Sequence, residues 1–250
     1  MKAYENLAPY YDRFMSFLDY EDEAHRIANF IQESQAKRIL DLGAGSGGHL
    51  LPLLRQGFAI DALDISQPML EILQKKLEQQ ELSANCICGD MCQYYSETPY
   101  DLIYAFGDTV HHLPSKDGLL DFLRCSHRNL ATGGALVFTW REQEYFEDMA
   151  ELESFFERHG EDYLLWSVNY EPEAPGAEEA TMNYTAFIQG NDGRFDKKEE
   201  CHRLQVYTGD EIYLASKQIG FDFCEDIADA YFSTEQDIEE YKEIVVLKKI

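Results

Sequence analysis

The residue types best suited to chemistry begin with four glycines. Gly43, Gly45, Gly47 and Gly48 follow a short apolar run, Ile39 to Leu42, and precede a leucine-rich stretch that starts at Leu50. Glycine lets a backbone turn tightly and lets a ligand approach without a Cβ in the way. A helix that opens behind such a turn points free N–H groups at whatever occupies it. Gly43, Gly45 and Gly48 satisfy the pattern G-x-G-x-x-G. Asp64 follows Gly47 by 17 residues, close to the ~20 expected of a ribose-binding carboxylate. Both features suit a nucleotide. Further along stand Asp108, His111 and His112. A histidine or carboxylate there takes a proton or orients a second ligand, or else makes a structural hydrogen bond. His202 raises the same question, as a pocket residue or a solvent-facing strand residue, and Trp166 and Tyr184 either wall a pocket or pack a sheet.

These residues need a sheet to bring them together. Strand-like runs occur at Arg38 to Leu42, Phe58 to Leu63, Ala84 to Cys88, Tyr100 to Phe106 and Ala135 to Trp140, alternating with helical patterns. Ser66 is placed as an N-cap with Pro68 just inside its helix, and Gly133-Gly134 as a turn into the fifth strand. Such alternation predicts a parallel sheet with helices on both faces, its strand C-termini sharing one edge. Gly43 to Gly47, Asp64, Asp90 and Gly107-Asp108 fall on that edge. After Trp140 the pattern changes. An acidic helix is read over 143 to 158. Strands follow at Tyr163 to Tyr170, Thr181 to Ile188 and Phe195 to Tyr207, with turns at Glu171 to Gly176 and at Asn191-Asp192-Gly193. Thr208 and Glu211 form a capping box for a helix that stops at Gly220. Phe221 to Ala228 and Glu243 to Lys249 are the last strands, joined by an acidic stretch. A helix over 17 to 34 and the aromatic residues Tyr4, Tyr10, Tyr11 and Phe14 precede the first strand.

The expected fold is α/β: a Rossmann-like, seven-stranded, mostly parallel sheet with helices on both faces and an antiparallel β insertion after strand 5. Residues 1–140 and 208–250 form the core, with an N-terminal lid over 1–35, and 141–207 form the insertion. The 250 residues carry a formal net charge of −26 from 21 basic and 47 acidic side chains. Such a field repels nucleic-acid backbones and anionic lipid surfaces, so a small neutral or cationic partner is expected. Six cysteines are too sparse for a disulfide scaffold and form no paired C-x-x-C motif. The N-terminus has no apolar signal core, and no run approaches the ~18 apolar residues of a membrane span. The expectation is a cytoplasmic protein with no metal, monomeric or dimeric.

On the glycines and Asp64 alone, NAD(P) and S-adenosylmethionine remain nearly tied. Three features favour the second. Asp41 stands inside the strand before the loop, where it can organise hydrogen bonds near an ammonium group. Gly89-Asp90-Met91 suits an adenine amino group. A helix and an aromatic segment precede the first strand. Ile39 to Gly47 resembles motif I of class I S-adenosylmethionine-dependent methyltransferases. Leu63 to Leu70 resembles that superfamily's second motif, Gly89-Asp90-Met91 its third, Tyr100 to Tyr104 its fourth and Leu130 to Leu136 its fifth. Tyr4 to Phe14 is similar to the N-terminal segment of a small-molecule branch that includes sugar N-methyltransferases and many unassigned bacterial members.

The resemblance implies S-adenosylmethionine as cofactor, S-adenosylhomocysteine as product, and methyl transfer to a small-molecule N or O nucleophile. Gly43, Ala44, Gly45 and Gly47 then lie under the methionine moiety. Asp64 takes the ribose hydroxyls, Ile65 and Met69 meet adenine, and Asp90 with Met91 bounds its amino group. Phe106 and Gly107 border the sulfonium, and Tyr11 and Tyr20 come from the lid. His111, Asp108 and Tyr11 are the candidate catalytic residues. A cofactor-binding protein without turnover and an NAD(P)-dependent oxidoreductase are the other readings.

Overall fold

A computed structural model describes residues 4–16, 18–151, 155–170, 179–232 and 242–250. A one-turn helix at Ala8–Tyr10 runs into α1 (Tyr11–Phe14) and then α2 (Tyr20–Ser34). The Asp19 side chain accepts from the Asp22 N–H and caps α2, whose first turn carries three more acidic residues. There follow β1 (Ile39–Leu42), α3 (Leu50–Arg55), β2 (Ile60–Asp64), α4 (Gln67–Gln79), β3 (Cys86–Cys88) and β4 (Tyr100–Ala105). A one-turn helix at Thr109–His112 leads to α5 (Gly118–Asn129) and β5 (Leu130–Arg141). The excursion contains α6 (Gln143–Glu151), β6 (Phe155–His159), β7 (Asp162–Asn169), β8 (Glu179–Gln189) and β9 (Phe195–Gln205). The chain closes with α7 (Gly209–Ile219), β10 (Phe221–Phe223), α8 (Glu225–Tyr231) and β11 (Lys242–Lys249).

Seven strands form one sheet in the order β10-β11-β5-β4-β1-β2-β3, with β11 antiparallel to both neighbours and the rest parallel. Side chains alternate across it, as the strand period of two requires. Ile39 packs with Ile27, Ile31, Leu53 and Leu73 on one face, and Leu40 packs with Phe122, Leu123 and Ile212 on the other. Burying both faces explains why these strands read as continuous apolar runs. Reversal of strand order at β1 and β4 leaves a crevice beyond their C-terminal ends, where α/β sheets place ligands.

The second sheet, β6-β7-β8-β9, is wholly antiparallel. One face is covered at one end by Phe146 of α6 against Val168, Tyr170 and Leu204. At the other end Leu7 and Phe14 of the N-terminal segment pack on Leu164, Tyr184 and Ala186. Lys197, Glu199, Cys201 and Arg203 alternate onto the opposite, exposed face of β9.

Several sequence expectations change here. The acidic helix ends at Glu151, and the chain forms β6 by Phe155; Leu152 lies outside the described residues. Gly133-Gly134 is inside β5, at a register shift between Tyr100 and Leu102 of β4, rather than a turn before it. The last-but-one strand stops at Phe223, and α8 takes the residues assigned to its second half. Ser66 opens α4 without a side-chain cap; its backbone N–H instead donates to Asp64. The Thr208–Glu211 capping box and the left-handed stop at Gly220 form as expected. The Glu171 to Gly176 turn and most of the acidic stretch before β11 lie outside the described residues.

Candidate functional site

At the carboxyl edge of the large sheet lies a cavity of about 1620 Å³. Its first half is built from backbone and strand-end carboxylates. Asp64, 9 % exposed, ends β2. Its two oxygens accept from the Gly45 N–H at 2.7 Å and the Ser66 N–H at 2.7 Å. Burial raises its pKa, and the N–H bonds from Ser66, Gly45 and Ile65 oppose that rise. Each oxygen keeps a lone pair for a ligand hydroxyl. Asp90 sits similarly beyond β3, accepting from the Cys92 N–H at 2.8 Å and Gln93 Nε2 at 2.9 Å. Gly43, Ala44, Gly45, Asp64, Ile65, Met69, Asp90, Met91, Phe106 and Gly107 all line the cavity, as do Tyr11 and Tyr20.

Two glycines of the loop do different work. Gly45 has φ +53°, and a Cβ there would meet only the Gly43 carbonyl oxygen, at 3.9 Å, before projecting into the cavity. Gly47 has φ +90° and is absent from the cavity wall; a Cβ there would stand 2.6 Å from Leu73 Cδ1. Gly47 therefore serves helix packing rather than the ligand surface. Asp41 is likewise off the cavity wall. It is 4 % exposed, on the Ile39 face of β1 beside the Tyr104 hydroxyl. Burial pushes its pKa up to about 7 despite nearby His49 and Tyr104. Asp41 is expected to organise hydrogen bonds near a ligand's ammonium; strand alternation turns its side chain into the α2–α4 layer, close to the cavity residues His49 and Asp64.

The three catalytic candidates all line the cavity but are chemically engaged. His111 is 1 % exposed. Its Nδ1–H donates to the Gln205 carbonyl at 2.6 Å, and its Nε2 accepts from the Arg141 N–H at 2.8 Å. With both nitrogens used and burial lowering its pKa, His111 is a structural pin rather than a base. Asp108 holds φ +61° and accepts from Arg141 Nε with both oxygens at 3.2 Å. Burial alone would raise its pKa, but Arg141, His111 and Lys242 hold it below the usual range. Tyr11 is pushed up to about 12, mainly by burial, while its contact with Tyr20 pulls the other way. It stays a neutral phenol.

The second half of the cavity comes from the N-terminal segment, α6 and the small sheet. Tyr4, Phe14, Tyr145, Trp166, Met182 and Tyr184 line it. His112 joins them, its pKa lowered to about 3, chiefly by burial. His202 is buried but lies behind the wall, its ring 4.6 Å from Tyr4 and 5.4 Å from His112. It is therefore neither a lining residue nor a solvent-facing one. The N-terminal segment is fastened on both sides. Asp12 bonds Ser46 Oγ and pairs with Lys76 at 2.6 Å, while the Asn6 N–H donates to Glu200 at 2.9 Å and Arg13 pairs with Asp162.

A charged cluster at the wall escaped sequence reading. Glu23 of α2 contacts His49 Nε2 and bonds Lys242 Nζ, and all three line the cavity. Burial opposes the Glu23 charge, but His49 and Lys242 hold its pKa well below the usual carboxylate range. His49 directly follows the glycines, which was its one visible signal. Lys242 reaches the cluster only because β11 pairs with β5, a fact of topology and not of local pattern.

A doubly wound sheet with a glycine loop after β1 and carboxylates ending β2 and β3 defines an α/β protein built to hold an adenosine-containing cofactor. Residues 39–134 match the family model described as a methyltransferase domain. A putative methyltransferase of Geobacillus sp. is 26 % identical over 234 residues, covering 91 % of this chain and 92 % of that protein. Among solved structures, an S-adenosylmethionine-dependent methyltransferase from Clostridium acetobutylicum superposes with a TM-score of 0.80 at 19 % identity, covering 99 % of both chains. A sugar N-methyltransferase from Streptoalloteichus sp. gives 0.74 at 16 % identity, covering 96 % of this chain and 92 % of that one. Together the matched methyltransferase domain, the full-length relative and the shared fold support an S-adenosylmethionine-dependent methyltransferase. Among the described residues, no helix is long and apolar enough to cross a membrane.

Proposed function

We propose that the protein methylates a small-molecule acceptor at a nitrogen or oxygen nucleophile. One observation carries this reading. The cavity of about 1620 Å³ exceeds the ~300–1,000 Å³ of a single small-ligand site and runs from the glycine loop to the aromatic chamber. That is room for a cofactor and a second molecule. The Streptoalloteichus neighbour, a sugar N-methyltransferase, likewise needs room for a cofactor and a second molecule.

The residues fit the cofactor. The Gly45 cradle is open where a Cβ would fill it, and Asp64 is buried with its remaining lone pairs facing the cavity. Asp64 is assigned to the ribose hydroxyls and Asp90, with Met91, to the adenine edge. Ile65 and Met69 are assigned to the ring face, and Phe106 and Gly107 to the sulfur side. When bound, S-adenosylmethionine supplies an electrophilic sulfonium methyl. The chain's task is to align the acceptor and exclude water, and orientation contributes several kcal/mol by itself. With His111 pinned and Asp108 ion-paired, the acceptor must present its own lone pair. Residues 1–140 and 208–250 act as the cofactor core with its lid, and 141–207 as the acceptor cap.

Calorimetry with S-adenosylhomocysteine, S-adenosylmethionine and NAD tests the cofactor assignment, with binding of the first two expected. Tight binding of NAD alone sinks it. Release of S-adenosylhomocysteine across a metabolite library tests turnover; tight cofactor binding with no release from any acceptor supports a binding protein instead.

A further inference from the structure

We infer that the second chamber takes a planar, largely apolar ring system bearing a hydroxyl or amino group, and disfavours polyhydroxylated or anionic acceptors. The inference rests on the proposed function and adds its substrate class. Its first support is the wall itself. Tyr4 and Phe14 come from the N-terminal segment, Tyr145 from α6, Trp166 from β7, and Met182 and Tyr184 from β8, all facing one cavity. Aromatic and thioether groups converging from four segments offer flat faces and edges for ring stacking.

The second support is where the wall's polar atoms already go. The Tyr184 hydroxyl donates to Met182 Sδ at 2.7 Å, and its ring packs 5.1 Å from that of buried His202. Tyr11 bonds Tyr20. A sugar-like acceptor gives up many hydrogen bonds to water on entering such a chamber and regains few. Charge points the same way. Arg141 is held by both oxygens of Asp108 with its guanidinium 4.8 Å from the Tyr145 ring centre, and Lys242 is bonded to Glu23. A carboxylate or phosphate would meet cations that already have partners, beside Asp108 and Asp148 on the same wall.

The third support is His112. Its ring packs 5.8 Å from Tyr4, and its nitrogens make no hydrogen bond to the described residues. It is the polar handle left for the ring's O–H or N–H. An apolar body with one such handle matches this wall.

Trp166 reports on the chamber directly, because the chain has only two tryptophans and the other, Trp140, is buried in the sheet. Protein labelled with 5-fluorotryptophan and saturated with S-adenosylhomocysteine would be titrated with 2-naphthol, 2-naphthoate and glucosamine. Fluorine NMR follows the two resonances, the Trp140→Phe variant assigns them, and calorimetry gives affinities. The expected result is that 2-naphthol moves the Trp166 resonance and binds at least tenfold tighter than either other probe. Tyr184→Ala should weaken it at least fivefold while leaving S-adenosylhomocysteine affinity within twofold. Equal or tighter binding of glucosamine or 2-naphthoate overturns the inference, as does cofactor binding with no probe moving Trp166. Failure of S-adenosylhomocysteine itself to bind overturns the cofactor reading beneath it.

Discussion

The two halves of the cavity are built by opposite means. The cofactor half is main chain: loop N–H groups, left-handed glycines, and two aspartates whose oxygens are oriented by backbone donors. The half proposed for the acceptor is walled by rings from the N-terminal segment, α6 and the small sheet. A backbone cradle depends on strand order and strand ends, so it suits a ligand that never changes. A wall of side chains can be repainted residue by residue, so it suits a ligand that differs between relatives.

The sharpest way to break that contrast is Gly45→Val. It should remove S-adenosylhomocysteine binding from calorimetric detection, because the side chain fills the cradle and strains a left-handed residue. Gly47→Val should instead lower the melting temperature through its clash with Leu73. Normal cofactor affinity in Gly45→Val would place the cofactor elsewhere. Asp64→Ala removes a charged acceptor whose hydrogen bonds are worth ~1.5–3 kcal/mol each, so the dissociation constant should rise roughly a hundredfold or more. Unchanged affinity would detach β2 from the site.

His111→Leu should cost about 2–4 kcal/mol in urea unfolding, from leaving the Arg141 N–H and Gln205 carbonyl unpaired, with cofactor affinity retained. Full stability with lost turnover would restore His111 as a base. Asp41→Asn should do the reverse at high pH. Its folded pKa, about 7, lies above the ordinary value. The fold thus holds a proton that the unfolded chain releases, and stability falls as pH rises from about 4 to about 7. The amide removes that loss, so unfolding at pH 8 should gain ~1–2 kcal/mol and unfolding near pH 3.5 should not. A destabilised Asp41→Asn at pH 8 would mean the buried carboxylate has a partner worth more than its desolvation. The smallest effect is the most telling for the two halves: Tyr184→Leu should leave S-adenosylhomocysteine affinity within twofold.

The same division governs what could be read from sequence. Strand ends announce themselves, because alternating apolar runs and glycine turns are local signals, and so the large sheet and its edge residues were legible. Asp41 and Gly47 lie off the cavity wall for a local reason: strand alternation turns the Asp41 side chain inward, and Leu73 leaves no room for a side chain at Gly47. Whether His111 is a base or a structural hydrogen-bonder stays open in the sequence because its two partners, Arg141 and Gln205, are 30 and 94 residues away. The Glu23–His49–Lys242 cluster spans 219 residues between Glu23 and Lys242 and has no motif at all. Among the rings, Tyr4 and Trp166 were visible only as aromatics without a face. The division into core and cap remains a proposal of the same kind, drawn from where the periodicity changes.

His111 has a consequence for the history of such chains. Its ring joins the turn after β4 to the last residue of β5, where the chain departs the large sheet, and to the last residue of β9, where it returns. Departure and return are thus stitched at a single point. A segment whose two ends are pinned side by side can be lengthened, shortened or exchanged for another without moving the sheet that holds the cofactor. New acceptors could then be acquired by splicing between residues 141 and 205, with the imidazole as the seam.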